Sequence, residues 1–577
     1  MQYALSRSTP VIRTTLSLRR SAQLCSSISI PARISRQLPR RISSCTSGRE
    51  HDLFNYTSGR WLVNEYVRLA ERMRKFNVDE LCRLAAQSVG RTLQDVDIIV
   101  KLDEGGFNRI FLITMQDGFK MIARIPYPVM APKFYAVASE VATMRFLRAK
   151  GLPVPEVYDY SPTPNNAAET EYIFMEYVAG TKLTDIWMEL EAAEIASVVR
   201  QMVELEARIM AIPFPASGSL YYADDLQKAP RKTMGIPIPL GEERFCVGPD
   251  ARLPMWYGRR SHLDVDRGPY ENAEAALAAV AYKEAAYLER FGRPLLPFQR
   301  ERREAYEYKE QSPLDHIKNL ELYRRMAPLL VPKKASLRAF CMRHPDIQPS
   351  NIMVSTSSDS SGSGPSRFKI VSLLDWQHTA ILPLFLLAGI PGRLQNYDDP
   401  GSYILAPPSL PEDMDKLDES DRTAVYGRYH ARLVHYHYAK STMELNEPHH
   451  DASWDPASTS SAGETHDLKA LLVEATERWA VLAGVGVPCP VEFETEDVSK
   501  TKAFSERLQL SDENYAGCQA IIGFETETWV PNEHYERAKA LAELLKLNLL
   551  QRISAADVRD KAQAHWFLDD MNEDDYM

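Results

Sequence analysis

Acidic residues are missing from the first 49 positions of this 577-residue chain, and so is lysine. Nine arginines, many serines and short apolar groups fill the stretch instead: Ala4-Leu5, Val11-Ile12 and Leu16–Leu18 alternate with Arg7, Arg13, Arg19 and Arg20. That is the composition of a mitochondrial presequence, which is read by the import machinery and not folded into a core. The other reading is a disordered basic tail for RNA or anionic lipid. Cysteine is scarce too: seven residues without paired metal spacing indicate neither a disulfide framework nor a zinc site. Long apolar runs are lacking. The longest, near Ile381–Ile390, contains Pro383 and is too short to span a bilayer, so no stable membrane insertion is expected. No internal repeat is visible.

The remaining body has 45% hydrophobic and 25% charged residues, ordinary for a globular protein. The chain is too long for a single core, so two or more lobes are expected. Without the nine N-terminal arginines its formal charge moves from −10 to about −19. Nucleic-acid binding needs a basic face, and an acidic body argues against it.

Chemistry concentrates between Arg343 and Trp376, in R-H-P-D-I-Q-P-S-N-I-M-V, a Ser/Gly-rich interruption, and F-K-I-V-S-L-L-D-W. Asp346 lies on a Pro-bounded turn and Asn351 follows shortly after it. Ile352–Val354 and Phe368–Leu374 are apolar runs that read as two strands of a hairpin, with Asp375 at the end of the second. Such a hairpin gathers Asp346, Asn351 and Asp375 around one cavity. A carboxylate to orient a hydroxyl, with an amide and a carboxylate to hold Mg²⁺, suits phosphoryl transfer. The plainer reading is a loop whose Asp and Asn cap turns.

Upstream, Ile98–Val100, Ile110–Ile113 and Met121–Ala123 have the character of strands, and Asp103–Asn108 fills the first turn. Gly105 and Gly106 there let the backbone approach a phosphate, although an ordinary hairpin turn has the same sequence. A leader over about 51–89 carries helix-spaced apolar positions at Leu62, Tyr66, Leu69, Leu81 and Leu84. Helices are also expected at Tyr135–Ala149, Ala192–Ile212, Asn272–Arg290, Leu314–Met326, Arg422–Glu444, His466–Ala483 and His534–Leu550. Trp256–Arg260 reads as surface packing with solvated arginines, and the acidic end, Asp569 to Asp575, as a solvated tail. His449 and His450 fall in a polar loop, and they offer no third metal ligand at a recognisable spacing.

H-P-D-I-Q-P-S-N followed by L-L-D-W resembles the catalytic loop and metal strand of the aminoglycoside phosphotransferase and choline-kinase-like family, over roughly Ile98 to Pro383 with a large interruption. Within that family it is most similar to a fungal mitochondrial subgroup, which shares an F-P-x-x-G-S-L-Y segment like Phe214–Tyr221. The resemblance implies an α+β, two-lobed protein-kinase-like fold with a small antiparallel-sheet lobe and an enlarged helical lobe. Residues 50–178 form the leader and nucleotide-binding lobe in this reading. Residues 179–577 form the catalytic and substrate lobe, with an insertion near 217–340. By the same resemblance Asp346 is the base, and Asn351 and Asp375 hold Mg²⁺. Arg124 stands where the family's strand lysine is usual, paired with Glu140, and the backbones of Glu176 and Val178 hold adenine. The implied function is ATP- and Mg²⁺-dependent phosphorylation of a small molecule in mitochondria. The alternative is a nucleotide-binding pseudokinase scaffold.

The acid-free N-terminus generates a first test. A fluorescent protein fused to residues 1–50 should enter mitochondria, and neutralising Arg7, Arg13, Arg19 and Arg20 together should leave it in the cytosol, as microscopy will show.

Overall fold

The computed structural model describes residues 52–229, 235–241, 244–356, 367–453 and 465–576. The stretch read as a presequence and most of the Ser/Gly interruption lie outside the described residues. Period-two alternation builds the first sheet. Its five antiparallel strands run in the order Val96–Glu104, Asn108–Met115, Lys120–Pro126, Tyr172–Glu176 and Val157–Ser161. One face carries Phe111, Ile113, Met121, Ala123 and Phe174 against Leu81, Ala85 and Ala86 of the helix Val78–Ser88. The opposite face is covered by the helix Lys133–Ala149, which is apolar nearly all round and buried along most of its length.

The chain then crosses to a second sheet at Gly180. A Cβ there would lie 2.7 Å from the Val354 carbonyl oxygen, and φ is +154°, so only glycine fits this close crossing. Thr181–Lys182 pairs beside Ile352–Thr356, which pairs antiparallel with Phe368–Leu373. The expected hairpin is therefore present, and the segment leaving the first lobe borders it. Helices Ala192–Met210 and Glu419–Leu445 supply Val199, Met202, Val203, Leu433 and Val434 to the core beneath this sheet.

The enlarged helical lobe departs from expectation in several places. Ala273–Phe291, capped by Asn272, and Pro313–Leu330 form as anticipated. A small sheet of Ser219–Tyr222, Phe245–Gly248 and Ile238–Pro239 accompanies them and was not anticipated. Trp256 is buried and stacks on Tyr135 at 5.0 Å, while Arg260 pairs with Glu284, so this cluster is packed and its arginine is not solvated. The 28-residue helix Thr495–Ile522 also escaped the sequence reading. Only Thr501, Leu508 and Ile522 along it are buried, so no apolar stripe announces it. His449 belongs to a helix, Glu447–Ser453, and not to a loop: its buried ring accepts from the Gly389 N–H at 3.1 Å. Among the described residues no helix is long and apolar enough to cross a membrane.

The leader follows its expected face at Leu62, Leu81 and Leu84, which pack inward, and departs from it at Tyr66. Tyr66 is 71% exposed, whereas Arg68 and Arg72 are buried on the helix Glu65–Arg72. The cause lies at the far end of the chain, because the acidic tail is docked and not solvated. Glu573 pairs with Arg68, Lys546 holds Asp569 at 2.6 Å, and Arg293 pairs with Asp575. Asn64, in a left-handed conformation at φ 53°, accepts from the Met571 N–H at 2.9 Å and donates to its carbonyl at 2.8 Å. Gly59–Trp61 pairs antiparallel with Trp529–Pro531 beside it.

Asn64 tolerates left-handed backbone and satisfies both polar groups of Met571, so Asn64→Ala should cost about 2–4 kcal/mol in denaturant unfolding. Asn64→Gly keeps the backbone freedom and should lose only the hydrogen-bond share of that cost.

Candidate active site

Pleating decides where Arg124 points. Met121, Ala123 and Ile125 face the leader helix, so Arg124 lies on the opposite face, toward the helix Lys133–Ala149. Glu140 of that helix, 3% exposed, meets the guanidinium through Nη1. The other arm, Nη2, donates to Asp375 Oδ1 at 2.7 Å and to Gln377 Oε1 at 2.8 Å. A lysine would be a single point donor, whereas the guanidinium fork meets both carboxylates from different sides.

The two carboxyls respond differently. Burial raises that of Asp375, but Arg124, by charge and hydrogen bond, holds it below the usual carboxylate range. The Asp375 side chain is 47% exposed, so its carboxylate is open as well as ionised. Burial pushes the Glu140 carboxyl up to about 7; Arg124 opposes this, while the negative charge of Asp375 adds to it. Asp375 also has φ 65°, a strained backbone for a residue other than glycine and a frequent mark of functional positions.

The loop before the hairpin is tied down from two sides. Arg343 donates to Glu206 at 2.6 Å, to the Leu387 and Gly389 carbonyls at 2.6 and 2.8 Å, and to Tyr438 at 2.8 Å. His344, buried and held neutral by desolvation, donates from Nε2 to the Leu374 carbonyl at 2.8 Å. Its Nδ1 accepts from the Asp346 N–H at 3.1 Å. Asn351 donates to the Asp346 carbonyl at 2.8 Å and its carboxylate at 3.2 Å, and the Leu374 N–H reaches the Asn351 carbonyl at 2.8 Å. Asp346, Asn351 and Asp375 are thus joined by one hydrogen-bonded frame. Burial raises the Asp346 carboxyl, and the charge of Asp375 adds to this; His344, Asn351 and Gln348 oppose it.

Gly105 and Gly106 form the turn between the first two strands, with Gly105 N–H donating to the Asn108 carbonyl at 2.9 Å. Neither has positive φ, and a Cβ on Gly106 would meet nothing within 4 Å. The backbone conformation itself does not require glycine here, and the space beside the turn has room for a ligand. Phe107 meets His378 edge-on at 5.6 Å, and the carboxamides of Asn108 and Gln377 approach to 2.5 Å. At the other end of the cleft Glu176 closes its strand, accepting through its side chain from Glu156 N–H and Arg148 at 3.0 and 3.1 Å. Val178 is half-buried in the link that follows. Lys182, just beyond it, pairs with Asp103 at 2.6 Å and so connects the lobes.

Sequence reasoning missed Gln377 and the positioning role of His344, although both stand beside or within the quoted motif. Glu206 and Tyr438 carry no local signal at all. They reach Arg343 from distant helices.

The raised Glu140 carboxyl carries a pH signature. A group whose folded value exceeds its unfolded one contributes stability that is full below the unfolded value, near 4.5, and is lost as pH rises through about 7. Glu140→Gln, which stays neutral, should flatten the dependence of unfolding free energy on pH across that window.

No family model matches the chain. A subtelomeric hrmA-associated cluster protein of Aspergillus fumigatus is 30% identical over 513 residues, covering 79% of this chain and 94% of that protein. The altered inheritance of mitochondria protein 9 of Yarrowia lipolytica is 25% identical over 527 residues, covering 84% and 85% respectively. Among solved structures, a streptomycin–ATP complex of an aminoglycoside 2″-phosphotransferase aligns at 11% identity and TM-score 0.31, covering 72% of this chain and 92% of that one. A macrolide 2′-phosphotransferase from Brachybacterium faecium aligns at 15% identity and TM-score 0.27, covering 72% and 100%. The fold itself is α+β, a five-stranded antiparallel sheet followed by a larger, mainly helical part. The chain belongs to the family of the Aspergillus fumigatus subtelomeric hrmA-associated cluster protein, and is similar to the fungal altered inheritance of mitochondria protein 9 group.

Proposed function

We propose that this protein is an ATP- and Mg²⁺-dependent phosphotransferase acting on a hydroxyl of a small molecule in mitochondria, where its relatives are named. The observation that carries the reading is the joining of Asp346, Asn351 and Asp375 in one frame, with Arg124 linking Asp375 to Glu140 of the other lobe. Asp346 would hold the acceptor hydroxyl in line and take its proton. Asp375, ionised and open, and the Asn351 amide oxygen suit a hard cation that takes few protein ligands. Among the described residues there is no group of three or more carboxylate, histidine or cysteine side chains able to hold a metal. Bound Mg²⁺ would supply charge neutralisation at the transferring phosphoryl group. Arg124 would face the nucleotide phosphates, with Gly105 and Gly106 above them and the Glu176–Val178 backbone on adenine. Residues 1–49 would deliver the chain to the import machinery.

The second reading, a nucleotide-binding scaffold, draws on one feature: Arg124 already engages the carboxylate that the metal needs. Turnover separates the two. With the purified chain, labelled ATP, Mg²⁺ and a mitochondrial metabolite extract, label should pass to a small molecule. Asp346→Asn should lower that turnover by about 10²–10⁴-fold with ATP affinity little changed. Absence of transfer from the wild-type chain, or full activity in Asp346→Asn, would remove the phosphotransferase reading.

A further inference from the structure

The Phe214–Tyr221 segment fastens the insertion to the loop beyond Asp375. Gly218 donates to the Ile381 carbonyl at 2.9 Å and accepts from its N–H at 2.7 Å. A Cβ on Gly218 would lie 2.2 Å from the Gly248 carbonyl oxygen, and φ is +155°, so only glycine allows this approach. The buried Ser219 hydroxyl donates to the Thr379 carbonyl at 2.9 Å and accepts from the Ala251 N–H at 3.0 Å. The Ala251 carbonyl is thereby held 2.9 Å from His378 Nδ1.

Donor and acceptor directions then follow one another into the cleft. A carbonyl oxygen only accepts, so His378 Nδ1 carries a proton. Burial lowers the His378 imidazole below the usual histidine range, against the Ala251 carbonyl and the charge of Asp375, so the ring is neutral and Nε2 accepts. Gln377 Nε2, at 3.1 Å, is its donor. That orientation leaves Gln377 Oε1 to accept from Arg124 Nη2 at 2.8 Å, the nitrogen that also donates to Asp375 at 2.7 Å. Turned over, the carboxamide would set its own N–H groups against those of the guanidinium. Asp375 and His378 both have left-handed backbone, at φ 65° and 62°, which residues other than glycine keep only where their surroundings fix them. We propose that His378 is a positioning residue of the cleft, which through Gln377 aims Arg124 at Asp375 while the insertion sets its tautomer. Its value for transfer rests on Asp375 being the carboxylate that holds Mg²⁺.

The test titrates ATP into the full chain by calorimetry, with and without Mg²⁺. His378→Asn suits a left-handed backbone and can still reach Ala251, but it has no acceptor where Nε2 stands. It should weaken ATP binding about tenfold in Mg²⁺ and leave it unchanged without the metal. Gln377→Glu presents an oxygen to Arg124 in either orientation and so needs no aiming. It should raise the affinity in Mg²⁺ more in the His378→Asn background than alone, a rescue that a merely structural His378 would not show. Unchanged affinity in His378→Asn, or an equal effect of Gln377→Glu in both backgrounds, would overturn the proposal. Equal ATP affinity with and without Mg²⁺ in the wild-type chain would instead remove the metal reading, and the proposal with it, so the two failures are distinguishable. Where His378→Asn does not fold, Ser219→Ala, which frees Ala251 and leaves the ring in place, is read by the same criteria.

Discussion

The buried guanidinium of Arg124 is satisfied by two carboxylates that come from different parts of the chain, Glu140 on a helix of the first lobe and Asp375 beyond the hairpin of the second. A charge out of water is tolerated only when its partners are in place, and removing one partner of such a set typically costs about 3–5 kcal/mol. The sheet, the helix that covers it and the loop after Leu373 are therefore positioned together. The arrangement also divides the two carboxylates by role. Asp375 stays ionised and half open, while Glu140 is buried deeply enough to titrate near neutrality.

A second polar set does for the loop what Arg124 does for the cleft. Arg343 spends its donors on Glu206, Tyr438 and two carbonyls, so the start of the loop is fixed to helices far apart in sequence. His344 then bridges the backbones on either side of the site, and its burial keeps it in the neutral form that can donate at one nitrogen and accept at the other. Asp346 and Asn351 gain their placement from these neighbours more than from the turn they sit on.

The leader and the tail form a third unit. Arg68 and Arg72 are buried because Glu573, Glu527 and Trp61 surround them, and the leader in turn holds the glycine turn through Glu104 and Arg109. Long helices with little apolar surface, such as Thr495–Ile522, carry this segment across the molecule. The leader from Asp52 onward and the described C-terminal tail thus support the glycine turn.

Whereas the pairing of Arg124 with Glu140 came from the family resemblance, the first three strands, the hairpin and the glycine turn were legible in the sequence from local period or a short motif. So was the grouping of Asp346, Asn351 and Asp375, since both halves of the motif flank one hairpin. What local pattern could not contain is pairing across hundreds of residues. Tyr66 holds a helix-spaced apolar position yet is exposed while Arg68 turns inward to Glu573, and the acidic end, read as solvated, is docked where Asn64 receives Met571. Trp256 and Arg260 likewise took their burial from Tyr135 and Glu284. The reason is physical. Periodicity reports which side chains share a face, but whether a charged face is buried depends on whether tertiary structure supplies the opposite charge.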